Sequence, residues 1–354
     1  MKKPIIVSGI KPTGNLHVGN YLGAVKNWVE LQNSGKYQMY IFIADLHSLT
    51  GNLSAKERHE QIIRTSAELI ASGIDPDKTT FFVQSHILEH SELAWIFNCV
   101  TPVSELERMT QFKDQAKQQS KNVNTGLLTY PILQAADILL YGGELVPVGQ
   151  DQIQHVELTR DIARWFNSAF ASSFVSTPAE AMVDKKTSAD EKATADKKKY
   201  FPETKHLLTK VPKIMSLLEP EKKMSKSLGQ GHVIELADEP NVIEKKLKKA
   251  VTASAGGEGA PGVQNLLLLL KEFSDKEIYN GFLQAEKDGT IRYGDLKNEV
   301  AGSISDYFSD FRIRRNELLM NHDELAEILI AGAEKARPVA EETMREVRKL
   351  VGIR

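Results

Sequence analysis

Residues 4–20 read PIIVSGIKPTGNLHVGN, a short β-branched run that leads through a glycine-rich turn into a helical pattern. Three further apolar runs, QMYIFIAD (38–45), TTFFVQS (79–85) and ELVPVGQ (144–150), are separated by segments long enough to hold crossover helices. Strands that alternate with helices favour a parallel sheet with right-handed connections. One connecting helix is marked at its start by a capping box, Ser54 with Glu57. The first part of the chain is therefore predicted to be an α/β domain.

The composition changes after this α/β segment. Residues 176–199 repeat Ala, Asp and Lys and contain almost no large apolar side chains, so we expect a surface insertion without a core of its own. Residues 238–354 show helical periodicity and little strand pattern, which predicts a second, all-helical domain. Its last segment, AEKARPVAEETMREVRKLVG (333–352), predicts a terminal helix that begins near Pro338.

The 354 residues have a globular composition, with 41% hydrophobic and 26% charged residues. No apolar segment is long enough to span a membrane and the N-terminus lacks a signal-peptide core, so we expect a cytoplasmic protein. The single cysteine, Cys99, excludes an intrachain disulfide and is expected to be a small buried apolar residue.

The formal net charge of −2 argues against binding nucleic acid through overall charge. A nucleic-acid partner would need local basic surface, and each candidate cluster, taken alone, is more simply a solvated helix face. The candidates are Lys113, Lys117 and Lys121; Lys245, Lys246, Lys248 and Lys249; and Arg312, Arg314 and Arg315.

Two stretches carry the residue types that phosphate binding needs. The turn SGIKPTGNLHVGN (8–20) lies where a strand is predicted to end and a helix to begin, and backbone N–H groups face ligands at such junctions. The hexapeptide KKMSKS (222–227) adds mobile ammonium groups and hydroxyls, and the glycines behind it allow a loop to move. Such a loop can close over a triphosphate and stabilise the charge that develops on it. A solvated Lys/Ser turn is the alternative interpretation.

Together, HVGN (17–20) and KMSKS (223–227) resemble the paired signature motifs of the class I aminoacyl-tRNA synthetases. The likeness continues along nearly the whole chain, which resembles the bacterial-type tryptophanyl-tRNA synthetase family. The segments that carry it include ELERMTQFKDQA (105–116), GLLTYPILQAADILLY (126–141), LVPVGQDQIQHVELTRDIARWFN (145–167) and AGAEKARPVAEETMREV (331–347). The insertion at 176–199 is the main part that the resemblance leaves uncovered.

The resemblance implies a Rossmann-like parallel-sheet nucleotide-binding domain with a C-terminal all-helical domain. The implied parts are a catalytic domain (1–221), a KMSKS loop and linker (222–236), a helical tRNA anticodon-binding domain (237–337) and a C-terminal helix (338–354) that packs back on the catalytic domain. The implied reaction activates L-tryptophan with ATP and Mg²⁺ to tryptophanyl-adenylate and pyrophosphate, then transfers tryptophan to the 3′-terminal adenosine of tRNA(Trp). A homodimer that binds tRNA across both subunits is also implied.

The resemblance also implies the site residues, and it assigns no side chain to a metal ion. The catalytic residues are Lys113, Lys223, Ser225 and Lys226. The ATP contacts are these three KMSKS residues with Lys11, Thr13, His17, Gly19, Asn20, Gly149, Asp151, Gln152 and Met224. The tryptophan contacts are Val7, Gly9, His47, Tyr130, Gln134, Asp137, Val146, Val148 and Gln152.

Asp137 is the most informative of these residues because it stands among apolar neighbours in TYPILQAADILLY (129–141). A buried carboxylate needs a dedicated partner. An indole N–H only donates and a carboxylate only accepts, so the two are complementary. Pairing of Asp137 with a nearby Arg or Lys is the alternative interpretation.

Two positions depart from the family pattern. Gln134, one helical turn before Asp137, stands where tryptophanyl enzymes often carry Met, and a Gln with an Asp could equally hold a phenol hydroxyl. Tyrosyl-tRNA synthetase is therefore an alternative, and a tRNA-binding paralogue without catalysis is another, although the intact KMSKS motif argues against the latter. Lys11 stands where Gln is expected, so its contact with ATP is open.

Overall fold

A five-stranded parallel sheet forms the centre of the part of the chain that the structure, a computed structural model, describes: residues 2–112, 123–170, 200–208, 213–252 and 259–353. The sheet order is β3-β2-β1-β4-β5. The strands are β1 (Ile5–Ile10), β2 (Gln38–Ile43), β3 (Thr80–Val83), β4 (Leu145–Val148) and β5 (Lys205–Leu208).

Helices connect the strands and cover both faces of the sheet. In the first part of the chain they are α1 (Val18–Asn20), α2 (Lys26–Asn33), α3 (Asp45–Ser48), α4 (Ala55–Ala71), α5 (Glu89–Asn98), α6 (Val103–Arg108), α7 (Thr125–Leu139) and α8 (Ile153–Ala169). A π-helical turn, Tyr21–Val25, joins α1 to α2. The helical part contains α9 (Pro240–Lys248), α10 (Pro261–Phe273), α11 (Lys276–Lys287), α12 (Tyr293–Tyr307), α13 (Ser309–Met320) and α14 (His322–Val351).

The strand order determines where a ligand can bind. The chain runs from β1 outward through β2 to β3, and then returns to add β4 and β5 on the other side of β1. β1 pairs with β2 in parallel from Ile5 opposite Gln38 to Ile10 opposite Ile43, and with β4 at Ile6 opposite Leu145. A crevice opens beyond the carboxyl ends of β1 and β4, where the connections diverge, and ligands bind at such points in open α/β sheets.

The predicted fold class is confirmed: a Rossmann-like parallel sheet precedes a helical part. The four predicted runs are β1 to β4, and the predicted capping box starts α4, with Ser54 Oγ accepting the Glu57 N–H at 3.2 Å. β5 was not predicted, because it is a four-residue edge strand that is only partly buried and has no apolar run. Residues 176–199 lie outside the described residues, and the domain boundaries stay predictions.

Two buried clusters hold the layers together. One runs from Ile6 and Ile41 on one face of the sheet through α2 and α4 into the helical part, where it includes Leu270 and Ile304. The other lies on the opposite face among α5, α7, α8 and the C-terminal half of α14. Among the described residues, no helix is long and apolar enough to cross a membrane.

The helix predicted to begin near Pro338 begins instead at His322, so that prediction was wrong. α14 is capped by Asn321, whose side chain accepts the Glu324 N–H at 3.2 Å, and Pro338 lies in its interior. Proline lacks one helical N–H donor and interrupts a helix that has no other support. Here Ala333, Ala336 and further buried side chains around Pro338 pack into the cluster on the sheet, which holds the helix through the proline.

Gly332 lets α14 cross directly over β3. A Cβ atom added at Gly332 would lie 1.7 Å from the carbonyl oxygen of Phe81. Backbone cannot yield to such a contact, so Gly332→Ala is expected to lower the free energy of unfolding by about 3 kcal/mol or more. Gly302→Ala, on α12 with nothing within 4 Å of the added Cβ, is the control and should stabilise by up to about 1 kcal/mol. Chemical denaturation measures both changes, and equal stabilities would contradict the packing.

The prediction that Cys99 is buried was also wrong, because Cys99 is exposed. It caps the C-terminal end of α5 on the outward face. Leu88, Ser91, Trp95 and Cys99 form one exposed stripe at helical spacing, with Leu88 76% and Trp95 70% exposed. We call these four residues the α5 stripe.

Candidate active site

A cavity of about 380 Å³ occupies the crevice beyond the carboxyl ends of β1 and β4. The strands, α3 and α7 supply its walls, and all nine residues predicted to contact tryptophan line it. They are Val7, Gly9, His47, Tyr130, Gln134, Asp137, Val146, Val148 and Gln152. Lys11 and Gly149, predicted to contact ATP, also line it, as do Trp28 and Thr50, which were not predicted.

Asp137 lies on α7 at the cavity wall and is 2% exposed. Its Oδ2 is 2.8 Å from His47 Nε2, and its Oδ1 is 2.6 Å from Gln84 Nε2 and 2.7 Å from His90 Nδ1. Burial alone would raise the pKa of this carboxyl, but the hydrogen bonds from His47 and His90 lower it to about 2. The group is therefore an ionised acceptor at neutral pH.

The partners of Asp137 differ from the Arg or Lys considered from the sequence. Gln84 directly follows β3, and His90 is on α5, so both lie far from α7 along the chain. His90 Nε2 lies 2.8 Å from the hydroxyl of Tyr141. Sequence reasoning missed all three residues. The position of Gln84 at the carboxyl end of a predicted strand was the one signal that could have identified it.

Tyr130 forms a polar part of the same wall. Its hydroxyl oxygen lies 2.9 Å from His155 Nε2 and 3.3 Å from Gln111 Oε1, and burial raises the pKa of Tyr130 to about 12. The ring of His47 packs edge-on against Tyr130, with 6.4 Å between the ring centroids. Burial thus keeps the tyrosine protonated, and the contacts fix it beside His47, a partner of Asp137.

Lys11 reaches across the cavity mouth. Its Nζ donates to Thr50 Oγ1 at 3.0 Å, and Thr50 Oγ1 donates to the carbonyl of His47 at 2.9 Å. Burial lowers the pKa of Lys11. The ammonium group is thus connected through Thr50 to α3, the helix that carries His47.

The glycine-rich turn and the KMSKS loop meet, although more than two hundred residues separate them. Lys226 Nζ donates to the carbonyl of Thr13 at 3.3 Å. Gly14 has φ +83°, and a Cβ there would lie 2.9 Å from Lys226 Nζ, so glycine leaves room for the lysine. The Val18 N–H donates to the Ile234 carbonyl at 2.9 Å, and Leu236 N–H donates to Leu16 O at the same distance. These contacts seat the loop on the turn.

His17 and Asn20 begin the helix after this turn. The His17 N–H donates to Asn20 Oδ1 at 3.2 Å. Burial, together with the positive charges of Lys226 and Lys223, lowers the pKa of His17 to about 4, so the imidazole is neutral at pH 7. Gly19 packs under this ring, because a Cβ there would lie 2.9 Å from His17 Cε1.

Within the KMSKS loop, the side chains point to different environments. Met224 is buried, and its N–H donates to the Ile214 carbonyl at 3.0 Å, so it anchors the loop in the core. Ser225 Oγ accepts the Ser227 N–H at 3.4 Å. Lys223 pairs its backbone with Met215 in an isolated bridge. Burial lowers the pKa of Lys226, against the opposing charges of Glu235 and Glu68.

Two predicted residues have no described side chain. Lys113 lies outside the described residues, with Lys117 and Lys121 of the same cluster. Asp151 lies in the short 3₁₀ turn Gln150–Gln152 that follows β4.

Comparison with known proteins identifies the family. A family model described as tRNA synthetases class I (W and Y) matches residues 1–309. The chain belongs to this family of class I tRNA synthetases. Two curated relatives are named tryptophan–tRNA ligase. The one from Clostridium perfringens is 40% identical over 99% of this chain and 98% of its own, and the one from Clostridium acetobutylicum is 39% identical over 99% and 97%.

A solved structure agrees with this assignment to the synthetase family. The crystal structure of tryptophanyl-tRNA synthetase from Campylobacter jejuni, complexed with ADP and tryptophan, superimposes with a TM-score of 0.81 at 31% identity. The match covers 99% of this chain and 100% of that chain. The match therefore covers both the Rossmann-like part and the helical part of the described residues.

Basic surface is of interest in a tRNA synthetase, and the structure shows which side chains of the second and third basic clusters are paired within the protein. The third cluster is not a shared basic surface, because each arginine is engaged within the protein. Arg312 donates to the Ser305 carbonyl at 2.7 Å, Arg314 pairs with Glu324 at 2.6 Å, and Arg315 pairs with Glu68 at 3.0 Å. In the second cluster, Lys245 on α9 and Lys249 directly after its end are exposed, whereas Lys246 pairs with Asp238 at 2.5 Å and Lys248 with Glu244 at 2.5 Å.

The Glu68–Arg315 pair joins the two parts of the synthetase. Glu68, on α4, is fully buried, and its second oxygen accepts the N–H of Leu16 at 2.6 Å. Burial raises the pKa of Glu68, and the Leu16 N–H and the Arg315 charge oppose that rise. One carboxylate thus connects the glycine-rich turn to α13 of the helical part.

Proposed function

We propose that the protein is a tryptophan–tRNA ligase. It joins L-tryptophan to ATP, giving tryptophanyl-adenylate and pyrophosphate, and then transfers tryptophan to the 3′-terminal adenosine of tRNA(Trp). Membership of the synthetase family establishes the class of reaction and ATP as a substrate. The observation that carries the choice of tryptophan is Asp137, an ionised acceptor in the wall of the cavity.

Asp137 suits an indole because of what it accepts. A carboxylate has about four acceptor positions on its two oxygens. Hydrogen bonds from Gln84, His90 and His47 use three of them. The remaining position, on Oδ2, fits the single N–H of an indole, while Val7, Val146 and Val148 offer apolar contact to the rings. The side chain of phenylalanine has no polar hydrogen and would leave this acceptor unsatisfied, which disfavours its binding strongly.

The first chemical step needs alignment and charge stabilisation more than a base. The carboxylate of the amino acid is already ionised near pH 7 and attacks the α-phosphorus of ATP. In this proposal Lys226 exchanges the Thr13 carbonyl for a phosphate oxygen, and Lys223 and Lys113 add positive charge as pyrophosphate leaves. Ser225 and the helix start at His17 and Asn20 hold the phosphates in place.

Magnesium enters this proposal as part of the nucleotide substrate. Among the described residues there is no group of three or more His, Cys, Asp or Glu side chains that could hold a metal ion. Magnesium binds phosphate oxygens readily and keeps several waters. We therefore expect the ion to arrive on ATP, where it shares the phosphate charge.

Tyrosine is the second candidate substrate because Gln134 lines the cavity one turn before Asp137. A charging assay with transcripts of tRNA(Trp) and tRNA(Tyr), each offered with tryptophan and with tyrosine, separates the two. Tryptophan attached to tRNA(Trp) alone is the expected result. Tyrosine attached to tRNA(Tyr) would replace the proposal, and no charging of either RNA would favour a paralogue without catalysis.

We expect a homodimer in the cytoplasm, with the α5 stripe in the subunit interface. The stripe presents Leu88 and Trp95 to solvent, and a large exposed aromatic residue is characteristic of protein interfaces. Trp95→Asp should therefore convert a dimer into a monomer at micromolar concentration, as measured by sedimentation velocity. Met320→Asp, at a position 87% exposed on α13, is the control and should stay dimeric. A parent protein that is monomeric, or a Trp95→Asp variant that is dimeric, would contradict this assignment.

A further inference from the structure

A buried chain of polar side chains lies behind the acceptor that faces the cavity. It runs from Asp137 through His90 to Tyr141, with contacts of 2.7 Å and 2.8 Å. His90 is fully buried and Tyr141 is 1% exposed. None of the steps proposed above uses His90 or Tyr141, and a buried polar network whose members are all hydrogen-bonded makes its surroundings rigid.

The contacts determine which nitrogen of His90 carries the proton. The carboxylate of Asp137 can only accept, so Nδ1 of His90 must donate to Oδ1. Nε2 of His90 lies 2.8 Å from the hydroxyl of Tyr141, which donates to it. Burial, reinforced by the charge of Asp137, raises the pKa of Tyr141, so this hydroxyl keeps its proton. Tyr141 therefore holds His90 in the Nδ1–H tautomer.

The same contacts determine which lone pair of Asp137 is left. Gln84 and His90 both donate to Oδ1, at 2.6 Å and 2.7 Å, and occupy its two acceptor positions. Oδ2 accepts one hydrogen bond, from His47 at 2.8 Å. With Oδ1 held from two directions, the carboxylate cannot rotate, and the one remaining acceptor stays on Oδ2.

We infer that His90, fixed in its tautomer by Tyr141, is a positioning residue for tryptophan selection: it holds Oδ1 of Asp137 so that Oδ2 presents its remaining acceptor to the indole N–H. This inference rests on the proposed contact between Asp137 and tryptophan. His90 touches no substrate atom and acts only through Asp137. Its loss should therefore affect ligands that carry the N–H and spare isosteres that lack it.

The test compares tryptophan with β-(3-benzothienyl)alanine, whose ring has sulfur in place of the indole N–H. ATP–pyrophosphate exchange is measured for the parent, His90→Leu, His90→Asn and Tyr141→Phe. His90→Leu should lower kcat/KM for tryptophan about 10- to 100-fold, mainly through KM, because a hydrogen bond to a charged group is lost. The value for the sulfur analogue should change little, so the preference for tryptophan collapses.

His90→Asn should restore most of the preference, because the amide nitrogen of Asn can replace Nδ1 as the donor. Tyr141→Phe keeps the donor but frees the tautomer, so the preference should fall roughly two- to tenfold. Tyr40→Phe is the matched control for Tyr141→Phe. Tyr40 stacks on Tyr141 with 4.6 Å between the ring centroids, but its hydroxyl accepts a hydrogen bond from Gln38 at 2.8 Å and has no contact with His90 in this network. Tyr40→Phe should prefer tryptophan over the sulfur analogue to the same degree as the parent.

Three results would overturn the inference. Equal losses for both substrates in His90→Leu would make His90 a structural residue only. An unchanged preference in Tyr141→Phe would do the same for the tautomer argument, and this variant decides the matter if His90→Leu does not fold. A parent enzyme without preference for tryptophan over the sulfur analogue would remove the proposed Asp137 contact itself, which is a distinct outcome from failure of His90 alone.

Discussion

Replacing Asp137 by Asn is expected to lower kcat/KM for tryptophan about 100-fold or more and to shrink the discrimination against phenylalanine. The amide nitrogen must then face one of the donors from Gln84, His90 or His47, all of which now meet a carboxylate oxygen. Breaking such a buried charged network costs about 3 kcal/mol or more, and tenfold corresponds to about 1.4 kcal/mol. Steady-state ATP–pyrophosphate exchange with each amino acid measures the change.

Gln134→Met is the comparison for Asp137→Asn, because it lies one turn earlier on α7 and lines the same cavity. Met is the residue expected here in tryptophanyl enzymes, so tryptophan should remain the preferred substrate with kcat/KM close to the parent value. Parent-like selectivity in Asp137→Asn would show that the carboxylate does not read the indole.

Lys226→Met is expected to reduce kcat of ATP–pyrophosphate exchange about 100- to 1,000-fold, with little change in KM for tryptophan. The substitution keeps the length and the apolar stem of the side chain but removes the charge that we propose stabilises the departing pyrophosphate. Losing one donor aimed at transition-state charge has an effect of this size. The cavity proposed to bind tryptophan lies beyond β1 and β4, and Lys226 does not line it, so affinity for the amino acid should be retained.

Lys222→Met is the matched control for this change. Lys222 lies in the same hexapeptide but is more than half exposed and pairs with Glu219. Its removal should leave exchange unchanged, since an exposed ion pair contributes little. Equal rates for Lys226→Met and the parent would contradict a role for the loop in the transition state.

Most of the strands and helices could be predicted from local sequence patterns. β1 to β4 are continuous apolar runs followed by turns, and α4 has its capping box, so local sequence and final structure agree there. The start of α14 was mispredicted at Pro338 because the features that determine where this helix begins are not local to the proline. Asn321 caps the helix and Gly332 fits against Phe81 of β3, a residue 251 positions earlier in the printed sequence. Tertiary packing overrides a helix-start signal in such a case.

The residues of the candidate site also divide into those that local motifs predicted and those that depend on tertiary contacts. Residues on recognisable motifs, such as Asp137 and Lys226, were placed from the sequence, and the structure brings the first into the cavity and the second against the glycine-rich turn. The sequence did not identify Gln84, His90 and Tyr141, because their roles depend on contacts between side chains of three different elements. Arg315 shows the opposite error, since a cationic cluster in the sequence contains a residue whose charge is used internally on Glu68.

We propose that Asp137 and the cavity that it lines select tryptophan for activation. The most direct test is ATP–pyrophosphate exchange by the purified full-length protein, with tryptophan, tyrosine and phenylalanine compared at matched concentrations in the presence of Mg²⁺. We expect exchange that depends on tryptophan and is close to background with the other two amino acids. Exchange driven by tyrosine would contradict it and make Gln134 the residue that determines specificity, and exchange with none of the three would contradict catalysis itself.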